Sequence, residues 1–396
     1  MDYRGLRTGI SMAENIEVED FKDIYPYDDT QTREALARVS KNPFVWLISK
    51  YLFPDKPFWA LARQLRDVQT VSQFQNEVMT KVVKSILDRT SSGLEVRGIE
   101  NVSGNSRCFL LMSNHRDIVM DPAIILYSLY SAGVPSIELC VGSNLLSSGF
   151  VEDMMRSNRL VKVYRGLPAH KMVEFSRTLS SYIRNRIVSG ESSIWVAQRQ
   201  GRSKDGKDRT GQGIVKMLEM SGSGDFFRDF SELEIIPVCL SYEYESCDAL
   251  RARELAVSKT KEYHKGKRED IVSIKTGITQ NKGHICLTFC KALSPEEIKA
   301  AAELKGNDRY RSLCETIDSR ICSSYRLWKT NYMGYDMMKG TQAYLGDKYT
   351  GEELDAFKTY AEKQLKKYRR KPYFDSMRDI FYSIYGNPVE SSQIYE

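Results

Sequence analysis

Four histidines occur in this chain of 396 residues, and one stands in the run Cys108-Phe109-Leu110-Leu111-Met112-Ser113-Asn114-His115-Arg116-Asp117-Ile118-Val119-Met120-Asp121-Pro122. Imidazole is the side chain best matched to taking up and returning a proton near neutral pH. Asp117 and Asp121 both lie close enough in sequence to orient it. The chemistry on offer is general-base catalysis, in which a weak nucleophile loses its proton as it attacks.

The surrounding pattern says how that group is held. Residues 108–112 are an apolar run of strand length. Asp121 followed by Pro122 signals a helix start, because the carboxylate can cap free N–H groups and proline at the first helical position gives up no bond. His115 then falls on the turn between a strand and a helix, an exposed and rigid place for a base. Positions six apart on a straight helix point about 240° apart. Asp121 can therefore reach His115 only if residues 116–120 form a turn outside the helix. Asp117, two residues along that turn, is the rival partner.

The rest of the chain supplies the frame. Apolar residues make up 41% and charged residues 28%, the balance of a folded soluble protein. A net charge of +6 is compatible with acidic ligands or an anionic membrane surface. The eight cysteines form no CxxC pair and several lie in apolar surroundings, which points to a reducing, cytoplasmic setting. Residues 1–40 are polar and read as loosely ordered. Residues 41–92 read as helical, with Phe44, Trp46, Tyr51, Phe53, Phe58 and Trp59 interleaved with Lys50, Lys56, Arg63 and Arg66. Pro54 and Pro57 split the first part into two short helices, which suit either a membrane interface or packing on the main domain. Val71, Phe74, Val78, Val82 and Ile86 then mark one long amphipathic helix. Strands alternate with helices over residues 93–298, which predicts an α/β class: a mostly parallel sheet flanked by helices, with helical N- and C-terminal extensions. Residues 299–396 read as a tyrosine-rich helical extension with basic clusters such as Lys366-Lys367-Tyr368-Arg369-Arg370-Lys371. The start of the chain lacks a signal-peptide pattern, and no apolar run reaches the ~18 residues of a spanning helix.

Four blocks follow in order inside residues 93–298. They are Asn114-His115 with Asp121-Pro122; Gly142-Ser143-Asn144 continuing to Val163-Tyr164-Arg165-Gly166; Trp195-Val196-Ala197-Gln198-Arg199-Gln200-Gly201-Arg202; and Ile235-Ile236-Pro237-Val238-Cys239-Leu240. In order and in strand-to-turn placement they resemble the glycerol-phosphate and lysophosphatidate acyltransferase family. That family carries Asn-His, four residues and Asp; then a strand with a basic residue; then a strand ending in Phe-Pro-Glu-Gly-Thr-Arg; then a strand with an embedded proline.

The resemblance implies an O-acyltransferase of phospholipid synthesis, similar to a 1-acylglycerol-3-phosphate acyltransferase. A fatty acyl group would pass from acyl-CoA or acyl carrier protein to the hydroxyl of a glycerol-phosphate or lysophospholipid. His115 would be the general base, oriented by Asp121 or, as second choice, Asp117. Asn114, Arg116, Arg165, Arg199, Gln200, Gly201 and Arg202 would contact substrate, the arginines because forked guanidinium groups suit phosphate. The family implies no metal and no cofactor beyond the thioester donor. The expected partners are a lipid acceptor, the donor and a membrane surface, with the protein peripheral on the cytoplasmic inner face. A nucleic-acid partner is not expected, since no binding motif accompanies the basic charge.

Two departures stand out. Five residues rather than four separate His115 from Asp121, and Gln200 stands where the family has Glu, with Arg202 directly after Gly201. An amide keeps an acceptor but loses the charge. These departures motivate the alternative of a catalytically silent lipid-binding or scaffold protein of the same fold. A serine hydrolase is disfavoured because Ser113 lies in no GxSxG turn.

Overall fold

The computed structural model describes residues 23–146, 149–266 and 268–395. Seven strands form one sheet: β1 (Gly93–Arg97), β2 (Leu110–Ser113), β3 (Glu138–Gly142), β4 (Leu160–Val163), β5 (Ile194–Ala197), β6 (Ile235–Tyr242) and β7 (His284–Phe289). Their order is β1-β7-β6-β2-β5-β3-β4. Neighbours run parallel except β6 with β7, so the expected α/β class is what the molecule has. β2 sits mid-sheet with all four residues buried. Alternation explains why: Leu110 and Met112 point into one apolar layer, Leu111 into the other.

The helices preceding β1 are α1 (Asp29–Ser40), α2 (Pro43–Leu52), α3 (Ala60–Asp67), α4 (Val71–Gln73) and α5 (Thr80–Thr90), the last two joined by a π turn over Phe74–Met79. The part of the polar segment 1–40 that lies among the described residues is thus ordered. Asp28 and Gln31 form a reciprocal capping box at the start of α1, and Ala35, Leu36 and Val39 are buried. Residues 1–22 lie outside the described set. Between the strands run α6 (Glu100–Ser103), α7 (Met120–Ser131), α8 (Gly149–Arg156), α9 (Ala169–Val188), α10 (Gln212–Glu219) and α11 (Phe226–Ser231). The β6–β7 connection carries α12 (Asp248–Ser258) and α13 (Glu269–Thr279). α14 (Pro295–Ala302), α15 (Asn307–Ser323), α16 (Lys329–Lys339), α17 (Gly351–Leu365) and α18 (Phe374–Tyr395) follow.

α9, α10, α14 and α15 cover one face of the sheet, and α5 and α7 the other. The C-terminal helices share a third core with α12. Asp318 of α15 accepts from the backbone N–H and hydroxyl of Thr210 (2.7 and 2.6 Å), which pins the end of the loop after β5. Gly206 in the same loop lies against the Ile384 carbonyl of α18, where any β-carbon would collide. Residues beyond 298 therefore hold the loop that carries Gln200 and Arg202. Among the described residues, no helix is long and apolar enough to cross a membrane.

Candidate functional site

The strands β2, β3, β4 and β5 are parallel, so their C-terminal ends open on one edge of the sheet. That edge is where open α/β sheets hold ligands. His115, Asn144, Arg165 and the 198–202 loop all follow those ends. His115 follows β2 by two residues because Asn114 ends the ladder. Its side-chain amide accepts from Leu240 N (2.8 Å) and donates to Leu240 O (2.9 Å), taking the place of a backbone partner. β6 thereby outruns β2, and its last residue, Tyr242, arrives beside Asp121.

Asp121 is fully buried, and each of its oxygens is used. Oδ2 accepts from Arg116 N (2.6 Å) and Asp117 N (2.8 Å) and lies 2.9 Å from His115 Nδ1. Oδ1 accepts from the Tyr242 hydroxyl at 2.6 Å. A carboxylate at Nδ1 holds the proton there and leaves Nε2 as the basic nitrogen. The His115 side chain keeps 14% of its surface exposed, so the ring is reachable and not sealed in the core. Its other support is Trp195, whose ring meets it edge-on at 5.8 Å and whose Nε1 donates to Ser113 Oγ at 2.9 Å. Burial, and then the Asp121 charge, push the Tyr242 phenol well above its ordinary value. It stays a donor.

Residues 116–119 do form a turn outside the helix, as a pairing of His115 with Asp121 requires. The capping role expected for Asp121 belongs to Asp117. Asp117 Oδ1 accepts from Val119 N and Met120 N, both at 2.8 Å, and Oδ2 accepts from Ser246 Oγ. α7 begins at Met120, one residue before Asp121. Asp117 thus shapes the turn and does not touch the imidazole.

The expected substrate contacts divide into two groups. Asn114 and Arg116 are buried and committed to the protein. Asn114 Nδ2 also donates to Asp208 (2.9 Å). Arg116 donates to Asp208 (2.6 Å) and Glu245 (2.5 Å), and its guanidinium lies 5.2 Å from the Tyr325 ring. Burial alone would lower its pKa, but Asp208 and Glu245 outweigh that and raise it well above the ordinary value. Arg251 completes the cluster from α12, bonding Glu245 at 3.1 Å. Arg199 is a brace, with Nη2 donating to Arg202 O at 3.4 Å.

The second group lies along the open edge of the sheet. Gln200 and Gly201 are exposed, Gly201 with φ of 75°. Ser203 N donates to His115 O at 2.7 Å, so Arg202 stands one residue from a direct link to the base. Arg202 Nη2 donates only weakly to Ser273 Oγ (3.3 Å), and its Nη1 is buried without a partner. Arg165 is half-buried; among the described residues no carboxylate pairs with either arginine. Burial without a counter-charge holds the Arg165 guanidinium below the ordinary arginine value. Three strand spacings, ~14 Å, separate the ends of β2 and β4. The Arg165 side chain leans back over Gly142 at the end of β3, so the edge presents an imidazole and two guanidinium groups without carboxylate partners among the described residues.

Among the described residues, no three His, Cys, Asp or Glu side chains are grouped to hold a metal ion. Tyr242, Trp195, Asp208, Glu245, Arg251 and Tyr325 escaped sequence reading. None neighbours His115 in the chain, and only the β2–β6 and β2–β5 pairings bring the first two there.

No family model matches the chain, and no curated protein matches it. Among solved structures, it is similar to the 1-acyl-sn-glycerophosphate (LPA) acyltransferase PlsC from Thermotoga maritima. The identity is 15%, over 73% of this chain and 92% of that one, with a TM-score of 0.39.

Proposed function

We propose that this protein transfers a fatty acyl group from a thioester donor, acyl-CoA or acyl carrier protein, to the hydroxyl of a glycerol-phosphate or lysophospholipid. The observation that carries the reading is the His115–Asp121 pair, 2.9 Å apart, with Nε2 left free at the open edge of the sheet. An alcohol is a poor nucleophile at neutral pH. Nε2 takes its proton as the oxygen attacks the thioester carbonyl, which is worth ~10²–10⁴-fold in rate. The C–O bond forms, the C–S bond breaks, and the imidazolium returns the proton to the leaving thiolate. Asp121 stabilises the imidazolium and holds its tautomer, and Tyr242 keeps Asp121 in place. Arg165 and Arg202 supply charge-assisted bonds to acceptor phosphate.

The acceptor is taken from a bilayer surface. Phe44, Trp46, Leu47, Ile48, Tyr51, Phe58 and Trp59 are all exposed on and beside α2. Trp46 and Phe58 pack edge-on at 5.5 Å, and Arg89 lies 5.4 Å from the Tyr51 ring. An aromatic patch with basic neighbours suits the headgroup boundary. In this reading the protein is peripheral, on a cytoplasmic membrane face.

The test is direct. The purified chain is given acyl-CoA or acyl carrier protein thioesters with a panel of glycerol-phosphate and lysolipid acceptors. Ester and free thiol should appear in equal amounts. Lysolipid binding with no ester under any pairing would instead establish a silent lipid-binding protein. Gln200, an exposed amide in place of a carboxylate, is the feature that favours that second reading.

A further inference from the structure

Helix α13 packs Ile278 on the sheet's core but otherwise turns polar groups and glycine toward the site. Asp270, Ser273 and Gly277 fall on one face at helical spacing, and that face meets the site. Asp270 Oδ2 accepts from Asn144 Nδ2 at 3.4 Å, and Ser273 Oγ accepts from Arg202 Nη2 at 3.3 Å. Gly277 lies so close to the Asp117 carboxylate that any β-carbon would collide. The opposite face carries Ile271 and Val272, 59% and 46% exposed, between exposed Arg268 and Lys275. Ile271 and Val272 are therefore apolar side chains that the core leaves unused. Exposed Lys259, Lys261 and Lys265 precede the helix. α13 and the aromatic helix α2 both pack on α5, so the two apolar surfaces flank one rod.

We propose that α13 docks on an anionic lipid surface through Ile271 and Val272, and that this docking governs access of the acceptor to Arg202. The proposal rests on the reading of the chain as an enzyme acting on a lipid-borne hydroxyl. Two aliphatic side chains leave water for the acyl boundary while Arg268, Lys275, Lys259 and Lys261 meet anionic headgroups; Lys265 is held by Asp270. On the inner face, α13 holds Arg202 by one long hydrogen bond to an uncharged hydroxyl. A phosphate oxygen makes a shorter, charge-assisted bond to the same nitrogen and displaces Ser273. One helix therefore touches the bilayer with one side and the acceptor's anchor with the other.

The experiment uses the full chain and vesicles of phosphatidylcholine with and without phosphatidylglycerol. Wild type should sediment with the anionic vesicles, and Ile271→Ser/Val272→Ser should bind them roughly tenfold more weakly. Both side chains are exposed, so the double variant should fold normally. Backbone hydrogen exchange across 269–276 should change on adding anionic vesicles to wild type. Ester formation on vesicle-borne lysolipid should fall in the variant, while turnover of a short-chain, monomeric acceptor stays the same. Unchanged vesicle affinity in the variant, or exchange in α13 that ignores the vesicles, overturns the proposal. Wild type that binds neither vesicle overturns it too. A wild type that docks but forms no ester from any acceptor fails the enzyme reading and leaves the docking helix standing.

Discussion

Arg116 and Arg202 carry the same guanidinium and stand on two neighbouring loops, which the bond from Ser203 N to His115 O draws together beside the base. The fold treats them in opposite ways. Arg116 is surrounded, with Asp208 and Glu245 at 2.6 and 2.5 Å and a tyrosine ring beside it. Arg202 has a long bond to a serine and a buried nitrogen with nothing on it. A buried charge is tolerated when paired and costly when not. The first arrangement belongs to a scaffold that fixes the His115 turn to the 199–210 loop and to α12. The second is a charge that, among the described residues, no carboxylate balances, as Arg165 is at the end of β4.

That contrast can be broken by substitution. Arg116→Met takes the only ion-pair partner from buried Asp208, among the described residues, and leaves Glu245 with Arg251 alone, and should cost about 3–5 kcal/mol of stability. A urea midpoint barely below that of wild type would remove Arg116 from the scaffold. Lys282 is a third case: fully buried, bonded to Thr90 Oγ1 and Gln280 O with no carboxylate in contact. Burial pulls its pKa from 10.5 down to about 8. Between those values the unfolded chain holds a proton that the folded chain has released, so stability rises as pH rises through that window. The change amounts to roughly 3 kcal/mol. Lys282→Met should be more stable than wild type at neutral pH and flat across the window; parallel stability curves would contradict this.

The arginines at the sheet edge should behave differently. Arg202→Gln and Arg165→Gln should each leave stability within ~1 kcal/mol of wild type. Each should raise KM for a phosphate-bearing acceptor about tenfold or more, by loss of a charge-assisted bond. Steady-state kinetics with paired thermal melts decides it, and unfolding without a KM change would place these arginines in the scaffold. Tyr242→Phe should have the smallest effect. Asp121 Oδ1 loses its donor, the carboxylate is held less firmly against the imidazole, and kcat should fall by less than about tenfold. An unchanged kcat would reduce Tyr242 to packing.

Local features of the site were legible in the chain. The apolar run before Ser113 and the Asp121-Pro122 pair located a strand, a turn and a helix, because propensity and proline geometry act over a few residues. The role of each carboxylate was not legible, since Asp117 and Asp121 differ only in which backbone N–H groups the turn presents. The scaffold was hidden for a different reason: Glu245 and Tyr242 reach their partners from 129 and 121 residues away. α13 was missed because its aliphatic residues are split between the core, at Ile278, and solvent, at Ile271 and Val272, which blurs the periodicity that marks an ordinary surface helix. Helix α1 was missed because polar composition concealed a capping box and three buried apolar positions.

The central claim is that His115, steered by Asp121, deprotonates the attacking hydroxyl. The measurement that tests it most directly is the rate of ester formation by His115→Ala beside wild type, at matched stability and matched acceptor binding. The account predicts a loss of roughly a hundredfold or more in kcat with binding intact. Turnover equal to wild type would contradict it outright.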